Sequence, residues 1–464
     1  MKKLIYLPLL SFLFAGVISC ETDAELVEIP DSTIQRIADA AAAAVSTPSA
    51  SEIAAAVESA LQDDLAVEED VAPAEIHHSG FITSDETWSN TSIHVLDNKV
   101  IVTDGNTLTI EAGTVIKAAN NAQPNTVALI VARGADIYAL GSATHPIIMT
   151  SSDDDVQIGG TYSSGSPNLT ASDNGLWGGL VVLGKARISP SSNAQVAIAE
   201  GIEASNAWAE FGGTDDADNS GIIEYVTIKH AGAALTSDNE LNQLTLCGVG
   251  NGTTIQNIEV YAGSDDGMEF FGGTVDVTNF LAYHVSDDSV DTDFAFSGSV
   301  DNAVIIQHPT LSSDHAMELS GRLGTYEAAN AYTFSDFTIV AGGVTDNVFK
   351  LKDNLKATFS GFWVKGLNAD NQSKIKVELA DWTENADGDV TASDIYISPG
   401  TSTGVNEAYI LGDLDETTAV KASELTGSFT ILADETKPAN GGADTSVFGW
   451  TFAASQNALS DNGI

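Results

Sequence analysis

The stretch "TIQNIEVYAGSDDGMEFFGGTVDVTNFLAYHVSDDSVDTDFAFSGSVDNAVII", residues 254–306, repeats one short pattern at nearly constant spacing. In each copy an apolar residue stands two positions before a polar centre, and apolar residues follow one and three positions after it. The centres Asn257, Asn279 and Asn302 are separated by 22 and 23 residues. A repeat of this length is typical of a solenoid, in which each copy forms one coil of the chain.

The same pattern extends in both directions along the chain. Its centres are Tyr225, Asn257, Asn279, Asn302, Asp336, Gly361, Asp394 and Ser428. Alternation around each centre directs apolar side chains to one face of a strand, and stacked coils would merge these faces into one core. The pattern therefore predicts an all-β fold, a parallel β-helix, rather than a large β-sandwich, which would not keep the centres in step. Asn at successive centres also predicts a ladder of side-chain hydrogen bonds.

The charge of the chain is strongly negative. Its 464 residues include 65 Asp+Glu and only 18 Lys+Arg, which gives a formal net charge of −47. Such a surface repels nucleic acid and anionic membranes, so no nucleic-acid partner is expected. Such a surface does not repel cations or neutral polymers such as glycans, so these are the expected partners.

The first residues, "MKKLIYLPLLSFLFAGVISC", have the basic start, apolar run and small residues of a signal peptide over 1–19. Residues 17–20, "VISC", resemble a bacterial lipobox, which predicts Cys20 as the lipid attachment site and a membrane anchor. An ordinary cleaved signal is the alternative. We expect residues 20–75 to form an acidic tether with two Ala-rich helices and a short α-helical segment, and residues 76–464 to form the β-helix.

Two acidic doublets occur at the repeat interval. Asp265 and Asp266 precede Asp287 and Asp288 by 22 residues, so the pairs should lie about 4.8 Å apart on adjacent coils. Crowded carboxylates predict a calcium site, since oxygen ligands favour Ca²⁺. A solvated acidic ledge and a catalytic carboxylate pair acting on a glycosidic bond are the alternatives. The absence of Lys and Arg between residues 230 and 320 weighs against cleavage of acidic polysaccharides.

Other polar residues extend or rival this site. Glu269, Asp291 and Asp293 are close enough in sequence to join the doublets. The stretch "TENADGDVTASD", 383–394, resembles a calcium-binding loop, although an ordinary polar turn explains it equally well. Its candidate metal ligands are Asn385, Asp387, Asp389 and Asp394.

The histidines offer a separate candidate site. His230 and His284 occupy equivalent repeat positions, but Ala262 stands at that position on the coil between them. This interruption favours coincidence over a histidine site. His308 and His315 are interpreted as loop residues without a metal-binding spacing.

The stretches "LWGGLVVLGKARIS", "EFGGTDDADNSGIIEYVTIKHAG" and "SDDGMEFFGGT" resemble a family of bacterial outer-membrane lipoproteins with β-helical bodies. The resemblance implies a right-handed β-helix, in line with the general handedness of parallel crossovers, and anchoring at the surface or in the periplasm. We expect a lipid-anchored, surface-exposed location on the outer membrane of a Gram-negative bacterium. The resemblance implies no agreed reaction. We therefore expect a non-enzymatic binding, adhesion or structural module, with a polysaccharide lyase or glycoside hydrolase as the alternative.

Overall fold

A computed structural model describes most of the chain after residue 73. The described ranges are 74–120, 127–162, 167–203, 205–236, 239–326, 330–342, 345–353, 355–366, 375–377, 390–398 and 428–464. The predicted signal peptide, Cys20 and the Ala-rich helices lie outside these ranges. The domain boundaries at residues 19 and 75 therefore stay predictions.

Short strands dominate the described residues. They are β1 (Glu75–Ile82), β2 (Glu86–Trp88), β3 (Ile93–Val102), β4 (Thr107–Ile110), β5 (Val115–Ala118), β6 (Leu129–Val131), β7 (Asp136–Leu140), β8 (Ile147–Ser151), β9 (Val156–Gln157), β10 (Thr161–Tyr162), β11 (Leu180–Leu183), β12 (Ala197–Ile198), β13 (Glu210–Phe211), β14 (Gly221–Lys229), β15 (Ala234–Thr236), β16 (Asn239–Glu240), β17 (Leu244–Cys247), β18 (Thr254–Tyr261), β19 (Met268–Phe271), β20 (Asp276–Tyr283), β21 (Val290–Asp293), β22 (Ser299–Ile306), β23 (Ser313–Ser320), β24 (Tyr332–Val340), β25 (Thr345–Lys352), β26 (Ala357–Lys365), β27 (Ile375–Val377), β28 (Val390–Ser398) and β29 (Phe429–Ile431).

Helical structure in the described ranges is confined to short pieces near the C-terminus and one surface turn. The α-helices are α1 (Phe452–Ser455) and α2 (Ala458–Asp461), and 3₁₀ turns occur at Ala207–Ala209 and Thr445–Phe448. Within the described residues, no helix is long and apolar enough to cross a membrane.

Parallel pairing between successive coils builds three sheets. Sheet A stacks the second halves of β14, β18, β20, β22, β24 and β26. Sheet B stacks β11, β17, β19, β21, β23 and β25. Sheet C contains β4, β7 and the first halves of the sheet A strands from β14 onward. This arrangement confirms the predicted parallel β-helix.

The predicted repeat centres mark a sharp bend between sheet C and sheet A. All the centres up to Asp394 have a positive φ: Tyr225, Asn257, Asn279, Asn302, Asp336, Gly361 and Asp394. Asn, Asp and Gly tolerate this left-handed conformation better than other residues. The amide of Asn279 donates to Asn257 Oδ1 (2.9 Å), and that of Asn302 donates to Asn279 Oδ1 (2.6 Å). The repeat thus reflects a backbone requirement, and the asparagine ladder is present.

The interior of the coils is apolar, and two of the outer faces are partly covered. Side chains such as Ile258, Phe280 and Ala303 stack inside the coil and are fully buried. The C-terminal segment, residues 441–464, packs on the outer face of sheet A. The loop between β11 and β14, residues 184–220, packs on the outer face of sheet B in the earlier coils.

Candidate functional site

The two acidic doublets lie in equivalent turns that connect sheet A to sheet B. Asp265 and Asp266 are between β18 and β19, and Asp287 and Asp288 are between β20 and β21. The backbone N–H of Asp288 donates to Asp266 Oδ1 at 3.1 Å. The doublets are therefore neighbours on adjacent coils, as the 22-residue spacing predicts.

Further carboxylates join the doublets. Three overlapping groups place one carboxylate oxygen of each member within 4.8 Å of the others. The groups are Glu240, Asp265 and Asp287; Asp266, Asp287 and Asp288; and Asp266, Glu269 and Asp291. Asp293, which the sequence also suggested, belongs to none of the groups found among the described residues. We call the seven members of the three groups, together with Glu318, the acidic cluster.

The register of sheet B brings the remaining charges into line. Glu269 pairs with Asp291, Asp291 with Glu318, and Glu318 with Lys350 on successive strands. Lys350 Nζ lies 2.7 Å from Glu318 Oε2, and Lys352 also contacts this carboxylate. The cluster thus receives two cations from β25, beyond the segment 230–320 in which the sequence has none.

The interpretation of His315 as a loop residue is wrong. His315 lies in β23 and is only 1% exposed. Its Nδ1 is 2.9 Å from Asp288 Oδ1, and its backbone N–H donates to the same oxygen at 2.7 Å. The loop between β22 and β23 lengthens this coil, so His315 follows Asp288 by 27 residues instead of 22. The spacing in the sequence therefore does not reveal that His315 lies beside the doublets.

Burial and mutual repulsion make the acidic cluster hard to ionise completely. Burial, with Glu240 nearby, raises the pKa of Asp265 to about 9, and burial with Asp288 raises the pKa of Asp287 to about 7. The same causes raise the pKa values of Asp266, Glu269 and Asp291 well above the usual range. Asp291 Oδ1 is buried and accepts no hydrogen bond from the described residues. Such a cluster needs protons or bound cations, and its oxygen donors suit Ca²⁺.

The second calcium candidate lies mostly beyond the part of the chain that the structure describes. Asn385, Asp387 and Asp389 are outside the described residues, so that loop stays a prediction. Asp394 is exposed at a left-handed bend of β28, where it accepts a hydrogen bond from Tyr396 Oη at 3.1 Å.

The repeat position shared by His230 and His284 is a second bend of the coil. His230, Ala262 and His284 all have a positive φ. Because Ala262 forms the same bend, the bend does not need a histidine. The recurrence of this position reflects the shape of the backbone rather than a histidine site. His284 contacts the ring of His308, with centroids 4.5 Å apart.

These features define a parallel β-helix protein with a buried acidic cluster along one sheet. Residues 80–451 match the family described as "Pectate-lyase like beta helix domain". The match covers most of the chain, which therefore belongs to this pectate-lyase-like β-helix family. No curated protein and no solved structure matches it significantly.

Proposed function

We propose that this protein is a calcium-binding β-helix module on the bacterial outer surface, anchored by a lipid at Cys20. Its acidic cluster holds Ca²⁺, and the calcium-loaded β-helix serves adhesion, glycan capture or a structural role without catalysis. The observation that carries the proposal is the set of three overlapping carboxylate groups on adjacent coils. Calcium takes six to eight oxygen ligands, and groups of this kind supply several at once.

The charge balance of the cluster supports a bound cation. Within the described ranges, its eight carboxylates face two lysines, and both lysines contact Glu318 at one end. At about 5 Å, each pair of like charges costs roughly 3 kcal/mol at an effective dielectric near 20. Divalent cations at the Asp265 end would remove this repulsion.

A polysaccharide lyase or glycoside hydrolase is the second candidate. The β-helix family and the pair of titratable carboxylates Asp265 and Asp287 favour it, because paired carboxylates can act as acid and base. Against a lyase in particular, the carboxylates around Lys352 raise the pKa of its ammonium, which disfavours this lysine as a base.

Calcium titration of the metal-free protein tests the proposal. Asp266→Asn and Asp287→Asn are the informative variants because each residue belongs to two of the three groups. Both should weaken calcium binding by isothermal calorimetry. Asp104→Asn, in the exposed loop after β3, is the control and should leave it unchanged.

Glycan arrays, followed by product analysis with and without chelator, separate the two candidates. Calcium-dependent glycan retention without products supports the binding module. Turnover that disappears in Asp265→Asn would establish the enzyme instead. The anchor has its own test, since Cys20→Ser should release the protein from membranes.

A further inference from the structure

One corner of the acidic cluster has a different donor set. His315, Asp288 and Glu318 each place one possible ligand atom within 4.8 Å of the others, and all three side chains are buried. The partly exposed Asp314 places its Oδ2 3.5 Å from the imidazole nitrogen Nδ1 of His315. This is the corner of the cluster where a nitrogen donor joins the carboxylates.

We infer that His315, Asp288, Glu318 and Asp314 form a site for a divalent first-row transition ion such as Zn²⁺. The inference builds on the proposed cation-binding face but assigns this corner to a different class of metal. Imidazole suits Zn²⁺ and its neighbours, whereas Ca²⁺ takes oxygen ligands. The carboxylate-only groups around Asp265 stay with calcium.

The spacing of the donor atoms agrees with a small ion. Zinc bonds of about 2.0–2.2 Å place the ligands of a tetrahedral site roughly 3.4 Å apart. His315 Nδ1 lies 2.9 Å from Asp288 Oδ1 and 3.5 Å from Glu318 Oε2. With Asp314 Oδ2 at 3.5 Å, His315 Nδ1 thus lies from one oxygen of each of three carboxylates at nearly the separation of two ligands on one ion.

The surroundings hold these donors in place. One strand and one turn fix the buried ligands, since His315 and Glu318 lie in β23 and the His315 backbone N–H donates to Asp288 Oδ1 in the turn before β21. Lys350 and Lys352 orient the Glu318 carboxylate. A carboxylate oxygen has two lone pairs, so Glu318 Oε2 can bind an ion while it accepts a hydrogen bond from Lys350.

Cobalt is the probe for this site, because four-coordinate Co²⁺ has intense visible absorption. We expect the metal-free full chain to bind Co²⁺ at one saturable site, which Zn²⁺ displaces and excess Ca²⁺ does not. His315→Gln should weaken Co²⁺ binding by more than about 100-fold. Changes to residues that only orient a metal ligand cost up to about 100-fold, and the loss of a ligand should cost more. His308→Gln is the matched control and should bind as the parent protein does.

A second variant keeps the test decisive if His315→Gln does not fold. Asp314 is 46% exposed, and Asp314→Asn should weaken Co²⁺ binding by about tenfold without affecting folding. Weak, pale Co²⁺ binding that survives in Asp314→Asn, or displacement by Ca²⁺, would overturn the inference.

Calcium binding, measured on the same samples, keeps the two proposals apart. Asp265→Asn should weaken calcium binding and leave Co²⁺ binding unchanged. If the parent protein binds calcium but not Co²⁺, the transition-metal site is contradicted. If it binds Co²⁺ but not calcium, the proposed function is contradicted.

Discussion

Two buried charged clusters lie on the outer faces of the same solenoid, and only one is balanced from within. On sheet A, Lys229 Nζ bonds Asp154 Oδ2 at 2.7 Å and lies 4.4 Å from the ring centroid of Phe452. The fully buried Glu259 accepts hydrogen bonds from the N–H groups of Phe452 and Ala453 and from the Thr227 hydroxyl. We call Lys229, Asp154 and Glu259 the lysine cluster.

The acidic cluster lies on the opposite side of the turn, on the same coils, but its charges are not balanced by partners as those of the lysine cluster are. Its carboxylates repel one another, and no donor in the described ranges reaches Asp291 Oδ1. The difference shows that stacking alone does not decide what a row of charges does. A row of charges that receives hydrogen bonds and a cation from other segments is neutralised within the fold, whereas a row of carboxylates needs protons or external cations.

The largest expected difference between the clusters concerns pH. The raised pKa values of Asp287 (about 7) and Asp265 (about 9) mean that the folded, metal-free protein binds protons that the unfolded chain has released. Its stability should therefore fall as pH rises from about 5 to about 9, because unfolding then releases protons. Each unit of pKa difference between the folded and unfolded states corresponds to about 1.4 kcal/mol. Thermal melting in chelator measures this slope. Calcium should flatten it, and equal slopes with and without calcium would contradict the cation site.

Lys229→Met breaks the balanced cluster. The buried Asp154 would keep its hydrogen bond from the Thr150 hydroxyl but lose its cation. Removing one partner of a buried pair costs about 3–5 kcal/mol, and here the loss should be independent of calcium. Urea unfolding with and without chelator tests both statements. Lys185→Met, at a half-exposed lysine 3.9 Å from Asp218, is the matched control and should cost about 1 kcal/mol or less.

Calcium bound at the acidic cluster should stabilise the protein. At a free concentration about 100 times the dissociation constant, one site adds about 2.7 kcal/mol to the free energy of unfolding. Asp266→Asn should lose most of this increment, while Lys229→Met should keep it. A calcium increment that persists unchanged in Asp266→Asn would show that the ion binds elsewhere.

Asn302→Gly tests the asparagine ladder without changing a residue of either cluster, and it has the smallest expected effect on the free energy of unfolding. Glycine keeps the left-handed bend but removes the side-chain bonds of Asn302, of which the two shortest join it to Asn279 Oδ1 and to the Asp444 N–H. At about 0.5–1.5 kcal/mol for each hydrogen bond, the loss should be roughly 1–3 kcal/mol and independent of calcium. Asn302→Ala, measured by the same denaturation, should cost more because alanine disfavours a positive φ.

The sequence predicts the local geometry of a coil well. The repeat centres coincide with left-handed bends because the chain must turn at the same point of each coil, and Asn, Asp or Gly fits that turn. The same regularity places Asp266 beside Asp288, where the spacing equals one coil. No resemblance to a known protein is needed for these conclusions.

Alignments across coils of unequal length are not evident from the sequence. Glu318 aligns with Asp291 only after a longer coil, and Lys350 follows after another long loop. Lys229 and Asp154 are 75 residues apart and meet because the turn after β8 folds over sheet A. Such pairings depend on loop paths, which alternation of apolar and polar residues does not encode.

The C-terminal segment has a consequence for the order of events in biosynthesis. Its N–H groups reach Glu259 across 193 residues and Asn302 across 142. Chains emerge from the ribosome beginning at the N-terminus, so the middle coils are complete long before this segment exists. Until then Leu281, Val304 and Ile306 lack the covering that buries them in the finished protein. An interrupted chain would therefore present an apolar strip, which proteases and chaperones recognise as unfinished.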